Sequence, residues 1–306
     1  MLFSLMAVAC FSVSAVTATR TARALGGTEA NFWRLCVATL LLAAYAHLLG
    51  SGLRGPSFPI FFLSGVLGFG LGDIALFQAL PRLGSRLSIM LVHCVASPFA
   101  GIVEWAWLNT KLDLDEILCA LVILTGVVIA LGDKPSSSAR NPNPGFKLGV
   151  AFGILAAIGQ ALGAILSRQA FQTAAHAGLP LDGISAAYQR IIGGVILSGF
   201  CLLVAKLAHR QPRPNPTSIP QPIQKWRTHG VWILVNGLAG PALGVSCYQW
   251  ALKTTPTAIV LPIIAITPLA IIPIAHRMGE ERVTKRSLIG GIVAVAGVAL
   301  LGWLRR

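Results

Sequence analysis

Ten apolar runs follow one another along this chain, each about the length a helix needs to cross a lipid bilayer. They cover residues 2–19, 32–49, 58–79, 86–107, 115–132, 148–167, 185–206, 230–250, 256–276 and 287–304. A spanning helix takes about 20 residues at 1.5 Å of rise each. Only 11% of the residues are charged, against about a quarter in a soluble domain, so polar side chains cannot cover a core of this size. The solvent for most of the chain is the lipid bilayer. There every backbone polar group must be satisfied within the protein, and runs of this length do that as helices. The expected fold class is an all-α membrane protein with ten transmembrane helices. The opening "MLFSLMAVACFSVSAVTATR" lacks the basic segment of a secretory signal and reads as a retained first span.

The runs fall into two groups of five. Residues 133–147 lie within "GDKPSSSARNPNPGFK", a polar Pro/Ser/Asn linker, and a Pro-rich connection, "AHRQPRPNPTSIPQPIQKW", follows the seventh run. Four echoes keep the same order in both groups. "FWR" (32–34) answers "YQR" (188–190), and "FQAL" (77–80) answers "YQWAL" (248–252). "SPFAGIVEWAWLN" (97–109) answers "TPLAIIPIAHRMGE" (267–280), and "ILTGVVIAL" (123–131) answers "AVAGVALLG" (294–302). Such self-similarity marks an internal repeat, here with halves at 1–132 and 148–303. An odd number of spans per half sets the two halves upside down to each other. Inverted repeats of this kind place a substrate site near the membrane midplane.

With Pro98 and Pro268 in the fourth and ninth spans and the ending "MGEERVT…GG…AGVALL", the chain resembles the EamA-type members of the drug/metabolite transporter superfamily. In that family a Gly-Glu pair commonly closes the fourth span of a half and a "G…GV" pattern marks the fifth. The second half carries both, as Gly279-Glu280 and Gly291…Gly297-Val298. The first keeps Gly126-Val127 but has Asn109 in the place of Glu280. The resemblance implies a cavity open to one side at a time and the movement of small metabolites, often amino acids and commonly outward, across the cell membrane.

The net charge of +14 would suggest nucleic acid in a soluble protein. Here the basic residues sit mainly between apolar runs, where they fix orientation, and no nucleic-acid partner is expected. Most of them follow odd-numbered spans, which by the positive-inside rule puts both termini outside; the resemblance implies the opposite. The charge-dense "RMGEERVTKR" (277–286) reads as the connection between the last two spans, with Gly279 and Glu280 as structural or gating residues at a membrane end. The six cysteines fall in separate runs without a CxxC pair. Neither a metal nor another cofactor is expected.

Ionisable groups inside spans are costly and so are functional candidates. Asp73 and His93 flank the turn near residues 81–85 at similar distances, which puts them at similar depth. Two readings of that pair stand: a site for a cation or a proton, or a hydrogen-bonded structural pair. Glu104 reads as an interfacial residue beside Trp105 and Trp107. Arg34 and Arg190, at the openings of their spans, read as snorkelling or capping groups. Polar cavity candidates are Gln160, Asn236, Tyr248 and Gln249, with Gln78 near a span end. Ser97-Pro98 and Thr267-Pro268 are read as broken mid-span turns, since proline frees a carbonyl one turn back. Glycines at helical spacing, at Gly65, Gly68 and Gly72, Gly149 and Gly153, and Gly159 and Gly163, read as close-packing positions.

An intramembrane enzyme would need a catalytic cluster in mid-span, and none is present. A non-transporting scaffold would explain the helices but not polar groups placed in mid-span. The function expected is therefore secondary transport of a small molecule by alternating access, with coupling to protons one option for Asp73. With no Lys or Arg read as lying in mid-span, the substrate expected is neutral or zwitterionic, amino-acid-like or drug-like. A sugar-phosphate or nucleotide-sugar exchanger is the alternative.

Overall fold

The structure, a computed structural model, describes residues 2–108, 114–131, 145–179, 181–208, 221–254, 260, 263–279 and 284–304. No strand occurs among the described residues. Residues 260 and 263–264 are helical, and most of the others fall into longer helical segments. They are α1 (Leu2–Leu25), α2 (Gly27–Leu48), α3 (Phe58–Leu83), α4 (Ser85–Leu108), α5 (Leu114–Leu131), α6 (Phe146–His176), α7 (Gly183–Ala208), α8 (Gln221–Gly237, Leu238–Gly244 and Val245–Thr254), α9 (Thr267–Arg277) and α10 (Lys285–Leu304). Seven are long and apolar enough to cross a membrane: α1, α2, α3, α6, α7, the Thr228–Thr254 part of α8, and α10.

The distribution of side chains is that of a protein solvated by lipid. Large apolar groups such as Leu40, Val128, Phe200, Leu203, Val231 and Trp303 point outward, while Asn31, Ser64, Gln189, Ser198, Asn236 and Gln249 are buried. In water the reverse arrangement would be favoured. The tight reversals α1–α2 and α3–α4 each use one glycine with positive φ, Gly26 (φ 85) and Gly84 (φ 83); there a side chain would be strained.

Small residues set how closely the helices approach. Along α5 and α10, Gly126 lies against Ala294 and Gly290 against Ala130, so the "G…GV" pattern is a packing seam. Gly153 admits the Leu91 side chain of α4, and Gly159 meets the backbone of α3 at Gly72. All six cysteines are free thiols.

Two expected boundaries are corrected. The second span begins at Gly27 rather than near residue 32, because the polar "GTEAN" continues the helix to the Gly26 break. Arg34 is therefore two turns inside α2 rather than at its opening. The ninth run is not one helix: Ala265 and Ile266 form a turn, and α9 starts at Thr267. Pro268 stands at the first turn of α9, where its missing N–H costs nothing, whereas Pro98 lies inside α4. The two prolines thus do not occupy equivalent mid-helix places. Gly279 (φ 66) follows the Met278 cap of α9; Glu280 and Asn109 lie outside the described residues.

Candidate functional site

Two of the helices are interrupted by π turns. In α3 the interruption is Val66–Gly72 and in α8 it is Leu238–Gly244. Single π turns are rare and cluster at functional sites. The glycine spacing is identical in both: Gly65, Gly68 and Gly72, then Gly237, Gly240 and Gly244. The glycines in 65–72 were expected to allow close packing, and they do; the matching set in α8, with Pro241 among it, went unread in the sequence.

Each π segment is held by helices from the other group of five. Arg190 of α7 crosses α3 with its backbone against Gly65 and its guanidinium beside Gly68 and Gly163. Arg34 of α2 crosses α8 with its backbone against Gly237 and its guanidinium beside Gly240. Two residues before each π segment, at Ser64 and Asn236, a polar side chain bridges to a neighbouring helix. Ser14 of α1 donates to Asn236 Oδ1 (2.8 Å), and Ser64 of α3 donates to the Gly163 carbonyl of α6 (2.6 Å). A Cβ at Gly65, Gly68, Gly237 or Gly240 would meet the crossing arginine or, at Gly240, Ser14 as well, which is why "small" is required there.

α2 and α7 run antiparallel. The start of α7 adjoins the end of α2 through Ser185 Oγ, which accepts from Ser51 N (3.1 Å), and through His47 and Tyr188 (3.1 Å). Further along, Asn31 Nδ2 donates to Ser198 Oγ (3.3 Å). Arg34 and Arg190 each lie seven residues from the start of their helix, about 10 Å in at 1.5 Å per residue. They therefore approach the middle of the bundle from opposite ends. Arg34 is 5% and Arg190 3% exposed, so the expected snorkelling or capping role is corrected for both. The reason is length: with α2 starting at Gly27 and α7 at Gly183, neither side chain can reach a helix end without leaving its groove.

Arg34 is fully served. Its Nε donates to Asn31 Oδ1 (3.0 Å), its Nη2 forms an ion pair with Asp73 Oδ2, and its guanidinium lies over the Phe77 ring at 4.5 Å. Asp73 is the first residue after the α3 π turn. Its partner is thus Arg34 rather than His93. His93 faces the same cavity but stacks on Phe11, with ring centroids 6.1 Å apart.

That cavity has a volume of about 70 Å³ and is lined by Ser14, Arg34, Asp73, His93 and Gln160 on its polar side. Phe11, Phe69, Phe77, Ile89, Val92 and Val245 are among its apolar walls. Ligand sites for small molecules are commonly about 300 Å³ or more, so in this conformation the lining side chains fill most of the space. Of the sequence candidates, Asp73, His93 and Gln160 come together here. Asn236 braces the wall through Ser14. Tyr248 is buried in a neighbouring cluster, with its ring against Phe11 at 6.2 Å. Gln249 is buried with both amide atoms lacking partners. Thr267 donates to the Ile264 carbonyl (2.5 Å) and, like Pro268, Pro98 and Gln249, is not on this cavity wall. Gln78 pairs with Arg82 near the end of α3. The side chains of Ser97 and Glu104 lie outside the described residues. Among the described residues no group of His, Cys, Asp and Glu could hold a metal.

The arginines are what sequence reasoning undervalued. The echo "FWR"/"YQR" was visible, but reading both residues as span openings, with the α2 start placed five residues late and the α7 start two, turned two buried cations into surface ones.

A model of the EamA-like transporter family matches residues 1–132 and 147–303. A solved structure titled only "Crystal structure of protein" aligns with a TM-score of 0.65 at 18% identity, covering 99% of this chain and 96% of that one. At that identity the likeness speaks for the fold alone. No curated protein matches the chain.

Proposed function

The chain belongs to the EamA-like transporter family, and on that premise we propose that it is a secondary transporter of a small polar metabolite. It works by alternating access across a cell membrane and moves its substrate outward. Residues 1–132 and 148–303 act as two inverted halves. The two matched blocks and the crosswise grip of each π segment support this division. The observation that carries the reading is the buried Arg34–Asp73 pair on the wall of a cavity inside a lipid-solvated bundle. A charge at bilayer depth costs on the order of 3 kcal/mol, an expense a purely structural bundle has no use for.

The π segments are the moving parts of this proposal. Each interrupts the regular α-helical hydrogen bonding and lies where helices of the other half cross it. A rocking motion between halves would be absorbed at Val66–Gly72 and Leu238–Gly244, opening the cavity to each side in turn.

The expected preference for a neutral or zwitterionic substrate assumed that no arginine lies inside a span. With Arg34 and Arg190 buried, the neutral class loses that support and a substrate bearing an anionic group gains it. The test compares intracellular and extracellular metabolites in cells with and without the protein, against Asp73→Asn at matched expression. At least one small polar metabolite shifts outward with the natural chain and not with the variant. An unchanged metabolite profile with correctly inserted protein would contradict transport.

A further inference from the structure

The two arginines occupy matching places and have opposite surroundings. Arg34 has Asn31 one turn before it and Asp73 after the π turn of α3, and both bond to it. Three residues before Arg190 stands Ala187, and after the matching π turn of α8 stands Val245. Both partners of Arg34 are thus replaced by apolar residues around Arg190. Accordingly Arg190 Nε is buried without a hydrogen-bond partner, and no acid pairs with Arg190 among the described residues. Its guanidinium lies over the Phe69 ring at 5.1 Å, with Gly68 and Gly163 leaving open backbone beside it. Its electrostatic neighbours are Tyr248 and Asp73, and Asp73 is already engaged by Arg34. Two buried cations therefore share one anion.

We propose that Arg190 is the receptor for a carboxylate on the transported substrate, which enters where Val245 leaves the counter-ion position empty. Phe69 and Val245 both line the central cavity, and the Phe69 ring, which also contacts the Arg190 guanidinium, stands between the two. The carboxylate reaches Arg190 when the Phe69 ring turns aside. The body of the ligand then lies against Phe11, Phe77, Ile89 and Val92. A planar carboxylate suits a guanidinium because two parallel hydrogen bonds can form. The substrate class is an organic carboxylate with a compact apolar body, and Arg34–Asp73 is the fixed pair that holds the opposite wall. This rests on the transport reading for its purpose but not for its test, which measures binding.

The experiment uses the purified full chain in detergent with three probes of one shape: benzoate, benzamide and benzylamine, at equal ionic strength. Thermal unfolding is read for the natural chain, Arg190→Gln, Val245→Asp and Val245→Asn. Benzoate at tenfold its dissociation constant raises the melting temperature of the natural chain by roughly 3 °C, and the other two probes do not. Arg190→Gln weakens benzoate binding by roughly thirtyfold or more. Val245→Asp abolishes the response by supplying an internal carboxylate, while Val245→Asn keeps it. If Arg190→Gln does not fold, the Val245 pair still decides. A natural chain that prefers benzamide or benzylamine, or responds to none of the three, overturns the proposal. So does benzoate binding that persists in Arg190→Gln or in Val245→Asp. Metabolite flux without carboxylate binding would refute this site and leave transport standing.

Discussion

Arg34 and Arg190 sit seven residues into antiparallel helices, each crossing a π segment of the other group of five, yet one is saturated and the other is not. Around Arg34 an amide, a carboxylate and an aromatic ring account for the guanidinium. Around Arg190 only the aromatic ring remains. The lesson is that a repeated scaffold can keep its backbone solution while its polar partners diverge. The glycines at 65, 68 and 72 and at 237, 240 and 244 preserve the crossing; Asn31 and Asp73 against Ala187 and Val245 distinguish the chemistry. A matched pair of buried cations with one counter-ion is an unbalanced site, and imbalance is what a charged ligand can use.

Breaking the saturated side has the largest expected effect. Asp73→Asn leaves Arg34 as an uncompensated buried charge, which costs about 3–5 kcal/mol when one partner of a buried pair is removed. A sharp drop in the yield of monodisperse protein and in melting temperature, with loss of flux, is the expected outcome. Arg34→Gln combined with Asp73→Asn recovers part of the stability and none of the flux, since the charge problem is gone while the site is not restored.

The backbone crossings come next. In Gly65→Ala the new methyl would run into the Arg190 carbonyl, and in Gly237→Ala it would stand 2.9 Å from the Arg34 carbonyl. Overpacking of this kind costs about 1–3 kcal/mol. Gly65→Ala falls at the upper end and Gly237→Ala at the lower, and their melting temperatures measured side by side give the order. Equal effects would mean that the two crossings are not as differently packed as the contacts indicate.

Smaller still is the loss of the cross-helix hydroxyls. Ser64→Ala removes a donor to the Gly163 carbonyl and a contact with Ser167 Oγ (2.9 Å). Ser14→Ala removes the donor to Asn236, whose Nδ2 already lacks a partner. Each costs about 1 kcal/mol, read as a shift in thermal unfolding. Asn31→Ala makes Arg34 resemble Arg190 at one of its two contacts and costs about the same.

Much of this architecture is legible in the residues. Apolar runs of about 20 residues specify helices because lipid offers the backbone no other partner, and "FWR"/"YQR" already pointed to matched positions. What the runs hide is where a helix starts. "GTEAN" is polar enough to look like a loop, yet it continues α2 back to Gly27, and α7 likewise begins at Gly183 ahead of the expected 185; Asn31, Ser185 and Gln189 find partners on adjacent helices and connections. For α2 that shift is about one and a half turns and for α7 only about half a turn; both arginines lie in the interior rather than at the rim. The ion pair between Arg34 and Asp73 joins residues 39 apart in sequence and depends on how α2 and α3 pack, which hydropathy does not encode. The π turns were likewise hidden, because the same glycines serve a straight, closely packed helix equally well. Counting from the turn put His93 and Asp73 at one depth, and both line the same cavity, but depth alone does not say which neighbour a side chain faces.

The most direct measurement is the melting temperature of Val245→Asp against Val245→Asn, each with and without Arg190→Gln, in the absence of ligand. If Arg190 lacks a counter-ion that position 245 can supply, the aspartate variant is the more stable of the two, and the advantage disappears with Arg190→Gln. An aspartate variant that is equal to or less stable than the asparagine variant while Arg190 is present would contradict the account.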